Sequence, residues 1–200
     1  MKNLYLRSML AAACAVTLAA CGGSGGNLYL SGQVSNLAKE GLILLNDGER
    51  LSVPAGQSQF VFTKLVKTDD RYDISIAQQP KGAVCTITNG SGKATSYSAS
   101  TAVVSCETNT YPLSGTITGL TAGGLHLVMG PNGISPLAGA DSYTFEKVAD
   151  GAPYIISILP PQPTGLKCRF QGSTSADGSD TVGIMGSAAT NAATLDCTPQ

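Results

Sequence analysis

The frame Gln-Pro-x-Gly-x-x-Cys occurs twice, as Gln79-Pro80-Lys81-Gly82-Ala83-Val84-Cys85 and as Gln162-Pro163-Thr164-Gly165-Leu166-Lys167-Cys168. A turn that recurs with the same cysteine behind it implies two copies of one module. The copies align well beyond the turn. Leu30-Ser31-Gly32-Gln33-Val34-Ser35-Asn36-Leu37 matches Leu113-Ser114-Gly115-Thr116-Ile117-Thr118-Gly119-Leu120. Gly41-Leu42-Ile43-Leu44 matches Gly124-Leu125-His126-Leu127, and Phe60-Val61-Phe62 matches Tyr143-Thr144-Phe145. After a one-residue slip, Tyr72-Asp73-Ile74-Ser75-Ile76 matches Tyr154-Ile155-Ile156-Ser157-Ile158. The second copy carries about eight extra residues between its cysteines.

Apolar residues in these blocks alternate with polar ones and are rich in β-branched and aromatic types, the pattern of strands. Gly, Asn, Asp and Pro fill the gaps, as in Asn46-Asp47-Gly48, Asn89-Gly90-Ser91-Gly92 and Gly130-Pro131-Asn132-Gly133. Few windows support a helix. Strands are predicted near 29–36, 41–46, 49–54, 58–64, 71–77, 83–88 and 101–107, with the same order in the second copy. The fold class is therefore all-β, two tandem small antiparallel sandwiches. Module one runs over 27–107 and module two over 111–200. Thr108-Asn109-Thr110 joins them, so short a link that the modules should touch end to end.

The first 20 residues read as a targeting segment. Lys2 and Arg7 give a positive start, and the apolar run Met9 to Ala20 is too short to span a bilayer. It ends in Leu18-Ala19-Ala20-Cys21, followed by the flexible stretch 22–26. This sequence resembles the lipobox of bacterial lipoproteins. The resemblance implies cleavage before Cys21 and a lipid on its sulfur, usually with an acyl chain on the new amino group. At about 0.8 kcal/mol per buried methylene, two or three chains hold firmly. The alternatives are a secretory signal cut near Ala20 that leaves Cys21 as a free thiol, and lipidation at Cys14, where Ala11-Ala12-Ala13 is a poorer match. Gly22, not Asp, follows Cys21, which by resemblance to enterobacterial sorting favours the outer membrane. The leaflet is left open.

The module pattern resembles the repeated immunoglobulin-like or transthyretin-like modules of bacterial surface lipoproteins. That likeness covers nearly the whole mature chain and implies a fold and a surface setting, with no residue-level activity.

Six cysteines are present. With Cys14 lost in the leader and Cys21 lipidated, four remain and allow three pairings. The duplication selects Cys85–Cys106 and Cys168–Cys197, in the oxidising compartment that export implies. Zinc is disfavoured, because no Cys-x-x-Cys occurs and His126 is the sole histidine. No metal and no cofactor is expected.

Chemistry is sparse. A Ser-His-Asp set would need His126, which replaces Ile43 on an alternating strand and reads as a surface or interface side chain. Asp69, Asp70 and Asp73, mixed with Lys64, Lys67 and Arg71, read as a solvated turn. Asp177-Gly178-Ser179-Asp180 offers carboxylates to calcium but lacks the spaced ligands of an EF-hand. Asp141 and Glu146 have no feature marking them as an acid–base pair. Without Lys2 and Arg7, 10 of the 12 basic residues face 13 acidic ones, a net of −3 and no basic stripe, which excludes nucleic acid as a partner. The reading is a non-enzymatic envelope protein, tied to the membrane through Cys21 and acting as a structural, adhesive or partner-binding module, with an envelope protein or extracellular ligand as partner. The alternatives are a carbohydrate- or peptidoglycan-binding module, against which the absence of Trp counts, and a periplasm-facing assembly factor.

Overall fold

The computed structural model describes residues 26–200; the leader, Cys14 and Cys21 lie outside the described residues. Module one has nine strands: β1 (Asn27–Ser35), β2 (Leu42–Asn46), β3 (Glu49–Val53), β4 (Gln59–Lys67), β5 (Arg71–Asp73), β6 (Ser75–Gln78), β7 (Ala83–Thr88), β8 (Ser91–Lys93) and β9 (Ala102–Thr108). Module two repeats the count: β10 (Thr110–Thr118), β11 (His126–Met129), β12 (Asn132–Ile134), β13 (Ser142–Ala149), β14 (Pro153–Leu159), β15 (Leu166–Phe170), β16 (Asp180–Ile184), β17 (Thr190–Asn191) and β18 (Leu195–Pro199).

One sheet of module one runs β4-β1-β9-β7 and the facing one β3-β2-β6, with β5 and β8 paired beside them. Module two has β13-β10-β18-β15 against β12-β11-β14-β16. Pairing is antiparallel except where each module's first strand meets its end: β1 with β9, and β10 with β17 and β18, run parallel. Period-two patterning sends Leu30, Val34, Leu42, Leu44, Phe60, Phe62, Cys85 and Val104 into one core. The second core gathers Leu113, Ile117, Leu125, Leu127, Tyr143, Phe145, Ile156 and Leu195. The two cores share no residue.

The repeated glycine before Val34 and Ile117 has a packing reason. Gly32 pairs with Phe60, and Gly115 pairs with Tyr143. In each pair the aromatic ring lies over the glycine; a Cβ on Gly32 would sit 2.6 Å from the Phe60 ring, and Tyr143 crowds Gly115 the same way. Residues that align down the repeat therefore also meet across the sheet. Tyr154 over Gly183 repeats the device, with its hydroxyl crowding any Cβ placed there, while Tyr72 opposite Gly92 leaves ordinary contact at 3.5 Å.

Two local expectations change. The strand expected over 71–77 is two strands, because Ile74 is buried at a step that passes the chain from β8's neighbour β5 to β2's neighbour β6. Ser91–Lys93, expected within a turn, is strand β8, and Asn132–Ile134 is β12. Glycine-rich composition concealed both, since short edge strands need little side-chain packing.

Candidate functional site

The repeated turn is built by its glutamine. Cys85 lies opposite Cys106, with Cα atoms 3.9 Å apart and the sulfurs bonded. A close pair of this kind is the one whose backbone groups point away from the partner strand. β7 is the sheet edge, so the Cys85 N–H and C=O face outward. Gln79 takes both: Cys85 N–H donates to Oε1 at 2.8 Å, and Nε2 donates to the Cys85 carbonyl at 2.9 Å. Gln162 does the same for Cys168 on edge strand β15, at 2.9 and 3.2 Å. Cys168 is bonded to Cys197. Pro80 and Pro163 are buried, and Gly82 and Gly165 have φ of 76° and 75°, a left-handed turn that glycine enters freely. The motif is a staple plus an edge cap. In the sequence the frame reads as a turn with a cysteine behind it and gives the glutamine no task; its spacing of six from each cysteine was the available signal.

In module one this turn also meets module two. Asn109 N–H donates to the Gly82 carbonyl, and Asp150 N–H donates to the Asn109 carbonyl, both near 2.9 Å. Lys39 Nζ donates to Asp150 Oδ1 at 2.8 Å and to the Asp150 carbonyl at 2.6 Å. A Cβ on Gly82 would come 2.6 Å from the Asp150 carboxylate carbon. Lys39 beside it, then Ser187, holds the Asp150 carboxyl below the usual range against the opposing effect of burial. Among the described residues the other carboxylate oxygen, Oδ2, is buried with no hydrogen-bond partner.

The other named residues stay apart. His126 is exposed on β11, its Nδ1 2.8 Å from the Ser135 hydroxyl. Asp69 and Asp70 form the turn before β5, and the Asp73 N–H donates to the buried Asn46 side chain at 3.1 Å. Asp180 accepts the Ser173 hydroxyl at 3.0 Å and the Ser175 N–H at 3.3 Å. Asp177 accepts the Ser179 hydroxyl and N–H, which hold its carboxyl below the usual range. Both carboxylates are engaged in their own loop. Asp141 accepts the Ser142 hydroxyl, while Glu146 is exposed on β13. Among the described residues no group of three or more His, Cys, Asp or Glu could hold a metal ion. Nor, among them, is any helix long and apolar enough to cross a membrane.

No family model and no curated protein matches the sequence. Solved structures that align with this chain include the minor pilin GBS52 of Streptococcus agalactiae, at 8% identity over 86% of this chain and 96% of that one, TM-score 0.30. A major pilin protein (T3.2) of Streptococcus pyogenes aligns at 11% identity over 88% and 96%, TM-score 0.28. Overlaps of that extent carry no inference about function.

Proposed function

We propose that this chain is a non-catalytic envelope lipoprotein, anchored in the outer membrane through lipid on Cys21, whose two sandwiches serve as a structural or partner-binding module. The observation that carries this reading is Leu18-Ala19-Ala20-Cys21 between a charged apolar leader and a glycine-rich tether. It is supported by the tasks of the polar side chains: Gln79, Gln162, Asp177 and Asp180 are occupied in closing strands and loops. His126 meets a lone hydroxyl.

Metabolic labelling with an alkyne fatty acid tests the anchor. Wild type takes the label and sediments with outer membranes; Cys21→Ala is unlabelled and released. Labelling that persists in Cys21→Ala sinks the assignment. Protease treatment of intact cells then reads the leaflet. Retention by a glycan array with no envelope protein co-purifying would move the reading to the carbohydrate-binding alternative.

A further inference from the structure

Strand edges are templates for unwanted pairing, and folded proteins blunt them with charge, bulges or covering groups. This molecule does so repeatedly. Gln79 and Gln162 cap β7 and β15. On edge strand β4 the Glu49 carboxylate accepts the N–H groups of Thr63 and Lys64, at 2.7 and 2.8 Å. On edge strand β13 the backbone of Lys147 is left-handed, φ 57°, which breaks the line of the strand.

β16 carries none of these devices. It ends its sheet, paired with β14 alone. The bonds Met185 N–H to Ala152 C=O and Ile158 N–H to Ser179 C=O fix the phase of that ladder. By alternation the N–H and C=O of Asp180, Val182 and Ile184 point off the free edge. Among the described hydrogen bonds no side chain covers those of Val182 or Ile184. The outer face beside them is apolar: Ile155 opposes Val182 and Pro153 opposes Ile184. Val182 is 48% exposed, Ile155 58% and Ile184 70%.

Module one supplies the control. There β8 pairs with β5 in the same phase, with Tyr72 opposite Gly92 where module two has Tyr154 opposite Gly183. The flanking pairs are Arg71–Lys93 and Asp73–Ser91. The outward carbonyl of Lys93 accepts the Ser98 hydroxyl at 2.6 Å. One edge is charged and capped; its duplicate is apolar and open.

We propose that β16 is a self-association edge, and that two copies of this chain pair through it, antiparallel, about a two-fold axis at Val182. The strand is its own complement in that register. Val182 meets its counterpart, and Asp180 meets Ile184 in both directions, so every outward backbone group of the three gains a partner. The apolar row Ile155–Val182 continues into the same row of the second copy. Asp180 brings no free carboxylate to the seam, since Ser173 and Ser175 already hold it. Pairing about a two-fold axis is isologous and closes on itself, which gives a pair and no filament. A seam of three residue pairs and one apolar row is small, in the class of weak, transient interfaces. The pair is therefore weak and concentration-dependent.

The test uses the full lipidated chain in its own membrane. Val182→Cys places two thiols opposite each other at a Cα separation of about 5.5 Å, within disulfide reach. Ser91→Cys, at the matching place in module one, is the comparison. Mild oxidation should yield a homodimer from Val182→Cys at least tenfold above Ser91→Cys. A second measurement needs no variant: amide exchange at Val182 and Ile184 should slow at least several-fold as protein concentration rises about a hundredfold. Cross-linking no better than Ser91→Cys, cross-linking to a different protein, or exchange independent of concentration each overturns the proposal.

Discussion

Where β5 meets β8, module one sets Arg71 against Lys93 and Asp73 against Ser91; where β14 meets β16, module two sets Pro153 against Ile184 and Ile155 against Val182. Between those pairs a tyrosine opposes a glycine in both modules. The same division runs through the molecule. Gly32 under Phe60 and Gly115 under Tyr143 are kept, as are Gln79 on Cys85 and Gln162 on Cys168. Yet Gly82 lies against Asp150, while nothing would lie within 4 Å of a Cβ on Gly165. Residues with backbone duties are retained in both copies. Residues that face outward differ, and there each module has acquired its own surroundings: a neighbour for the first turn, an apolar edge for the second module.

The largest expected effect tests whether the staples are equivalent. The disulfides close loops with separations of 21 and 29 residues. Chain entropy values each at about 3 kcal/mol, with only a few tenths between them. Cys85→Ser/Cys106→Ser and Cys168→Ser/Cys197→Ser should lower their own module's melting point by similar amounts, roughly 10–20 °C for domains of this size. Calorimetry of the two double variants checks this. A loss in one module and none in the other would break the comparison.

Much of this was legible in the sequence. The internal repeat gave two all-β units because Leu30, Val34, Leu113 and Ile117 carry period two and face the cores. Short strands were not legible: Ser91-Gly92-Lys93 has no apolar signature, and it pairs only because β5 offers an edge. The glutamine cap was visible as a repeated letter but not as a bond, since its meaning depends on which strand ends the sheet. The junction was hidden for a different reason. Lys39 and Asp150 are 111 residues apart, and neither is marked by the repeat.

The turn glycines give the next effect. Ala at either position pays about 1–2 kcal/mol for a left-handed backbone. Gly165→Ala should cost that and no more. Gly82→Ala must also displace the Asp150 carboxylate, so it should cost measurably more and uncouple the modules. Chemical denaturation followed by module-specific probes would show Gly165→Ala unfolding with wild-type coupling and Gly82→Ala in two separated steps. Equal costs would show that the junction adds nothing. Smaller again is the edge cap. Gln79→Ala and Gln162→Ala each remove two hydrogen bonds that water can partly replace at an edge, about 1 kcal/mol. Equal destabilisation by urea titration is expected, and a twofold disparity would show that one copy has lost the need for its cap.

The smallest effect is acid. In Glu49, burial pushes the carboxyl up, but hydrogen bonds from Thr63 and Lys64 outweigh it and hold the group below the usual range. Lys39 and then Ser187 hold Asp150 down. Each group binds its proton less readily in the folded protein than in the unfolded chain. The stability it adds is therefore full above the ordinary carboxyl range near pH 4 and is lost as pH falls through its lowered folded value. Both groups serve module one or its junction. Module two has the lowered Asp177 in an exposed loop, which contributes little because solvent screens it. Between pH 7 and pH 3, module one should lose more stability than module two, and Glu49→Gln should remove part of that difference. Melting curves across this range check it. A parallel fall in both modules would mean that the β4 edge and the Lys39–Asp150 contact are no better held than an ordinary surface pair.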